Sequence, residues 1–173
     1  MTAFVDPGEF ARLVLSYQHT AFRLEQRDDQ YHDPEEDAPF RRFLAGEPMT
    51  GWNDEWEDML RRRTADGQLM TRVRVVAEPH TGYTRFLLDL AGINVPAGED
   101  IRYLPRDRAK GLGLPSEDFW LIDSSTVVIL RFADDNALIG GEVRDDPAVV
   151  VRHCYYRDVA CHYAIPYEEY VRS

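Results

Sequence analysis

Tyr83, Arg85, Glu99, Arg102, Asp118, Trp120 and Asp123 combine charge, hydrogen-bonding power and an aromatic plane in one stretch of the chain. They fall at the ends of expected strands or in the first turns of an expected helix. Ligands of α/β sheets bind in the crevice outside the carboxyl ends of strands, so these residues form a candidate ligand pocket. An arginine there can hold a carboxylate or phosphate through two parallel N–H···O bonds, with Trp120 as an apolar wall. The competing reading is structural: Arg85 or Arg102 pairs with Glu99, Asp118 or Asp123 at the sheet edge. None of them is expected to be catalytic.

The inventory for covalent or metal chemistry is thin. Ser16, Ser116, Ser124, Ser125 and Ser173 stand in no G-x-S-x-G context. GLGLP, Gly111 to Pro115, lacks the Lys-Ser/Thr of a phosphate loop and does not lead from a strand into a helix. His32 has Asp33, Glu35 and Glu36 beside it, but neighbours in an acidic loop rarely converge on one centre, so no metal is expected. Cys154 and Cys161 fall on one face of the last expected helix, roughly 10 Å apart along its axis. That is too far for a disulfide, and with His153 and His162 they lack zinc spacing. Buried free thiols are the expectation. No cofactor is implied. Small pockets do acid–base work with a Tyr, a His and a Glu, so a small enzyme of specialised metabolism is the alternative to a binding protein.

Composition narrows the partners. The 173 residues suit one domain, and 44% apolar with 12% aromatic residues suffices for a real core. A net charge of −11 argues against direct contact with nucleic acid, which needs clustered cations. Lys110 is the chain's only lysine; every other cation is an arginine. Arg61-Arg62-Arg63 imitates a basic patch, yet it ends an expected helix, where cations complement the helix dipole. The acidic Asp28 to Asp37 segment is the expected contact for a basic protein, with a solvated loop as the competing reading. MTAFVDPGEF has neither a positive n-region nor an apolar h-region, and no run approaches a membrane span. A cytoplasmic protein with no membrane contact is expected.

Periodicity and turn chemistry give the elements. Asp6-Pro7-x-Glu9 is a capping box that opens a helix to about Tyr17. HTAFRLE, His19 to Glu25, reads as a strand, followed by an acidic segment that is a loop or a short strand ending near Tyr31. Pro39 to Leu44 reads as a helix stopped by Gly46, and Asn53 to Asp66 as a longer one stopped by Gly67. Leu69 to Val76 alternates apolar with polar or arginine side chains, which predicts a strand with one buried face. Thr81 caps a helix to Gly92, and Pro96-Ala97-Gly98 turns the chain into a strand over Asp100 to Leu104. Arg106 to Pro115 reads as a loop. Strands follow at Asp118 to Ile122, Thr126 to Phe132 and Leu138 to Val143, the last two joined by a turn at Asp134-Asp135-Asn136. A final helix starts at Pro147 and reaches about Tyr163. This order predicts an α/β (α+β mixed) fold in which a mixed sheet is flanked by helices. One domain spans 1–173, with 1–67 mainly helical and 68–173 the sheet-containing core.

The segments GEDIRYLPR, DFWLIDSSTVVILRF and ALIGGEV, in and just around the stretch from Glu99 to Glu142, resemble one half of a phospholipase-D-like domain. The resemblance covers residues ~72–165. In that family the catalytic strand reads His-x-Lys, four residues, then Asp. Here the Asp matches Asp123, while Ser116 stands at the histidine and Asp118 at the lysine. The resemblance thus implies a phospholipase-D-like half-domain with a helical N-terminal addition that has lost its nucleophile and phosphate-binding cation. FRLE, RVRVV, the P-x-T-x-Y-x-R-F run from Pro79 to Phe86, GEDIR and DFWLID together also resemble an uncharacterised actinomycete domain family. Genes of that family often lie beside those for XRE-type helix-turn-helix regulators. Dead phospholipase-D-like copies serve as sensor modules on transcription regulators. Both resemblances imply a regulatory or signalling role. The expected partners are therefore a helix-turn-helix regulator or another basic protein, or a small anionic molecule.

Overall fold

The computed structural model describes residues 2–29, 34–49, 51 and 53–173. Thr2–Val5 forms β1, Pro7–Val14 α1, Thr20–Glu25 β2, Pro34–Leu44 α2 and Asp54–Ala65 α3. Leu69–Val76 (β3), Gly82–Ala97 (α4), Glu99–Pro105 (β4) and Arg106–Ala109 (α5) follow. Phe119–Ile122 (β5), Thr126–Phe132 (β6), Leu138–Arg144 (β7), Pro147–Tyr163 (α6), Ile165–Pro166 (β8) and Tyr167–Tyr170 (α7) complete the chain. The eight strands make one sheet in the order β1-β7-β6-β5-β2-β3-β4-β8.

β2, β3 and β4 are parallel neighbours, which requires crossover connections. α2 with α3 supplies one, and α4 the other. β5, β6 and β7 form an antiparallel meander. Its first turn has φ 49° at Asp123 and 52° at Ser124, the paired positive values a tight hairpin needs. β5 lies antiparallel against β2, with Ala21 opposite Ile122.

Both sheet faces are buried. On one, Phe22, Leu24, Val73, Val75, Phe119 and Leu121 pack against α6 through Val150, Ala160 and Cys154. On the other, Ala21, Met70, Trp120 and Val128 meet Val14 of α1 and Leu60 of α3. Cys154 and Cys161 are free and only partly buried. Among the described residues no helix is long and apolar enough to cross a membrane.

Several boundaries differ from the sequence expectation. α4 continues through Gly92 to Ala97 and ends at Gly98, whose φ is 118°. Gly92 is a packing glycine: a Cβ there would lie 2.9 Å from the Tyr167 hydroxyl. α2 starts at Pro34 and carries Pro39 inside it. β1, α5, β8 and α7 are additional elements of two to four residues, too short for periodicity to register. His32 and Asp33 lie outside the described residues.

Candidate functional site

β2 and β3 bury charge at the centre of the sheet. Arg23 alternates with Phe22 and Leu24, and Arg72 and Arg74 alternate with Val73 and Val75. The apolar set faces α6, so the two-residue period turns the charged set to the other face, beneath α3 and α4. β4 contributes Glu99 and Tyr103 there, and the entry to β5 contributes Asp118 and Trp120. All of these residues are buried.

Glu25 is the hub. Its Oε1 accepts from Arg72 Nη1 at 2.5 Å, and its Oε2 from Arg74 Nε at 2.7 Å. Arg23 Nε stands 3.2 Å from Oε1. Burial alone would raise the Glu25 pKa, but Arg74, Arg23 and Arg72 outweigh it and hold the carboxyl well below the usual range. Arg72 Nε donates to Glu99 Oε1 at 2.7 Å, while Arg74 Nη1 donates to Leu87 O on α4 at 2.8 Å and to the Tyr103 hydroxyl at 3.1 Å. Arg23 and Arg72 also flank the Trp120 ring, each 5.5 Å from its centroid. Asp118 Oδ1 accepts the Gln26 N–H at 2.7 Å, and Oδ2 faces Arg23 Nη2 at 3.7 Å. Its pKa is raised, because burial outweighs Arg23 and the Gln26 N–H.

Three guanidiniums thus meet three carboxylates, and the lattice neutralises itself. The cavity beside it, lined by Glu25, Arg74, Thr84 and Tyr103 among others, measures about 10 Å³. That is room for one water and for no ligand. The arrangement cross-links the parallel strands and ties them to α4.

Of the residues singled out from sequence, the structure brings Glu99, Asp118 and Trp120 together in this lattice. Tyr83 lies on α4 and donates to Glu36 Oε2 at 3.0 Å. Arg85 is exposed on the same helix. Arg102 lies on the α6 side, bonded to Asp100 and to Cys161 O. Asp123 closes the β5–β6 turn and accepts three backbone N–H groups, from Gln18, His19 and Thr20, at 2.7 to 2.9 Å. These donors outweigh its burial and lower its pKa. An ion-pair network exists, but Arg23, Arg72 and Arg74 make it rather than Arg85 or Arg102. The missed signal was Arg-x-Arg on β3 opposite Arg-x-Glu on β2, at the strand period. Among the described residues, no group of His, Cys, Asp and Glu side chains is placed to hold a metal ion.

Residues 8–172 match the family model described as Domain of unknown function (DUF6879). The chain belongs to this family. Among solved structures, NucT from Helicobacter pylori matches with a TM-score of 0.55 at 11% identity, over 96% of this chain and 98% of that one. At that identity the likeness is one of fold. No curated protein matches the chain.

Within that fold Ser116 is exposed just before β5, and Asp118 is buried two residues later. Arg23 on the neighbouring strand β2 faces Asp118 at 3.7 Å.

Proposed function

We propose that this protein has exchanged phospholipase-D-like catalysis for binding, and acts as a ligand- or protein-binding module in a bacterial regulatory system. The observation that carries this reading is Asp118. Transfer of a phosphoryl group needs a nucleophile and cations aimed at the phosphate. Asp118 instead takes the cation's position, and is committed to Gln26 N–H and to Arg23. Ser116 stands where the histidine belongs. Arg23, which faces Asp118, also serves Glu25.

The regulatory setting is supported by the resemblance to proteins encoded beside helix-turn-helix regulators, and a net charge of −11 suits a basic partner. Within the acidic segment, Asp28 already accepts from Ala77 N–H and pairs with Arg106. Glu36 accepts from Tyr83. Exposed Asp29 remains available to a partner.

The test is hydrolysis of bis(p-nitrophenyl) phosphate by the purified chain, with and without divalent metal. We expect the buffer rate. Turnover that disappears in Ser116→Ala or Asp118→Asn would overturn the reading. Affinity purification from the native host, with mass spectrometry of protein and small-molecule passengers, addresses the partner.

A further inference from the structure

A groove of about 250 Å³ lies outside the carboxyl ends of β2 and β3. After β4 the chain forms α5 and crosses back over these strand ends before entering β5, antiparallel to β2. The groove is thus where the parallel half of the sheet gives way to the antiparallel half, the place where open α/β sheets leave a crevice.

Tertiary bonds shape its walls in advance. Arg106 Nη2 donates to Gln26 O at 2.6 Å and to Val75 O at 3.0 Å, and its Nε donates to Asp28 at 3.0 Å. One guanidinium therefore fixes the ends of β2 and β3 against α5. On the opposite wall Gln26 Nε2 donates to Pro115 O at 2.7 Å. Ala109, Leu112 and Leu114 anchor the crossing segment on the α6-side core.

The lining is amphipathic. Val75, Leu114 and Pro115 give an apolar floor, and Lys110, Gln26 and exposed Ser116 give polar groups at the rim. From Arg106 to Ser116 the chain carries Arg106, Arg108 and Lys110 against Asp107 alone, inside a protein of net charge −11. Lys110 bonds to Asp107 at 2.6 Å, and both side chains are largely exposed. Such a pair is weakly held, so the ammonium can turn to a ligand.

We propose that this groove binds a small organic anion, its acid group at Lys110 and Ser116 and its apolar body on Val75 and Leu114. This assignment rests on the binding-module reading and gives it a site. The volume lies below the ~300–1,000 Å³ of drug-sized pockets, which suits a single-ring acid.

The experiment is a ¹⁵N–¹H NMR titration of the intact chain with phenyl phosphate and benzoate, and with neutral benzyl alcohol for comparison. We expect amide shifts at Gln26, Lys110 and Ser116 with both anions and none with the alcohol. Lys110→Glu, at an exposed position, should weaken binding about tenfold, and Leu114→Trp should fill the groove and abolish it. Absence of these shifts, equal shifts with benzyl alcohol, or binding undiminished in Lys110→Glu would overturn the assignment. The function reading fails separately. Phenol released from phenyl phosphate would sink the non-catalytic claim while the shifts still located the groove, whereas anions bound elsewhere would remove the groove and spare that claim.

Discussion

Glu25 answers three buried arginines with two oxygens. Replacing it by Gln keeps the shape and leaves the guanidiniums short of charge, so Glu25→Gln should cost about 3–5 kcal/mol in urea denaturation. Arg102→Ala, which breaks a partly exposed pair with Asp100, should cost less than about 1 kcal/mol. A pH dependence follows from the same hub. Its folded pKa lies below the ordinary 4.5, so its contribution is fully present above that value and is lost as pH falls through the folded pKa. Asp118 is shifted the other way and opposes the loss. The acid limb of the stability curve should therefore be shallower in Glu25→Gln than in the native chain; equal slopes would refute this. Two acids of the lattice, Glu99 and Asp118, were legible in the sequence, whereas the hub Glu25 and the three arginines were not. Glu99, Asp118 and Trp120 sit at strand ends, where a functional residue is sought. Arg72 and Arg74 alternate with valines and look like the wet face of a half-buried strand; parallel strands bury both faces, and alternation cannot announce that.

At the level of elements, glycines carried two different messages. Gly98 ends α4 with φ 118°, and a Cβ there would sit 2.2 Å from Thr64 Oγ1. Gly98→Ala should destabilise the fold by about 1–3 kcal/mol through backbone strain and this clash. Adding Thr64→Ala should recover part of the loss in thermal melts, and no recovery would mean that the clash contributes nothing. Gly92 looked like the same kind of stop and was not, because the reason for it lies on α7, far along the chain. α6 has a pH dependence of its own. His153 is buried edge-on against Phe119, with ring centroids 4.7 Å apart. Burial lowers its pKa, more than the Val149 carbonyl raises it. The stability held by the neutral ring is complete above the ordinary 6.5 and falls as pH drops through the folded value. His153→Phe should therefore lose less Tm than the native chain between about pH 7 and 5, the interval in which histidine changes charge. The strand pattern from Leu69 to Val143 was legible because each strand is long or bounded by turn residues. The short edge elements β1 and β8 form because a neighbouring strand needs covering, which no local signal encodes.

For the whole molecule, net charge sets the approach of partners. With −11 overall, we expect no binding of mixed-sequence duplex DNA by the isolated protein at physiological salt. Fluorescence anisotropy would check this, and micromolar, salt-sensitive binding would contradict it. The global arrangement also places β2 between β5 and β3. A chain emerging from the ribosome makes β2 early, yet Ala21 to Leu24 find their second neighbour only when Phe119 to Ile122 arrive. Until then β2, β3 and β4 present an open apolar edge, the kind of surface that holdase chaperones bind and that aggregates when they do not. A message truncated between β4 and β5 would therefore yield a sticky remnant for proteolysis rather than a smaller folded domain.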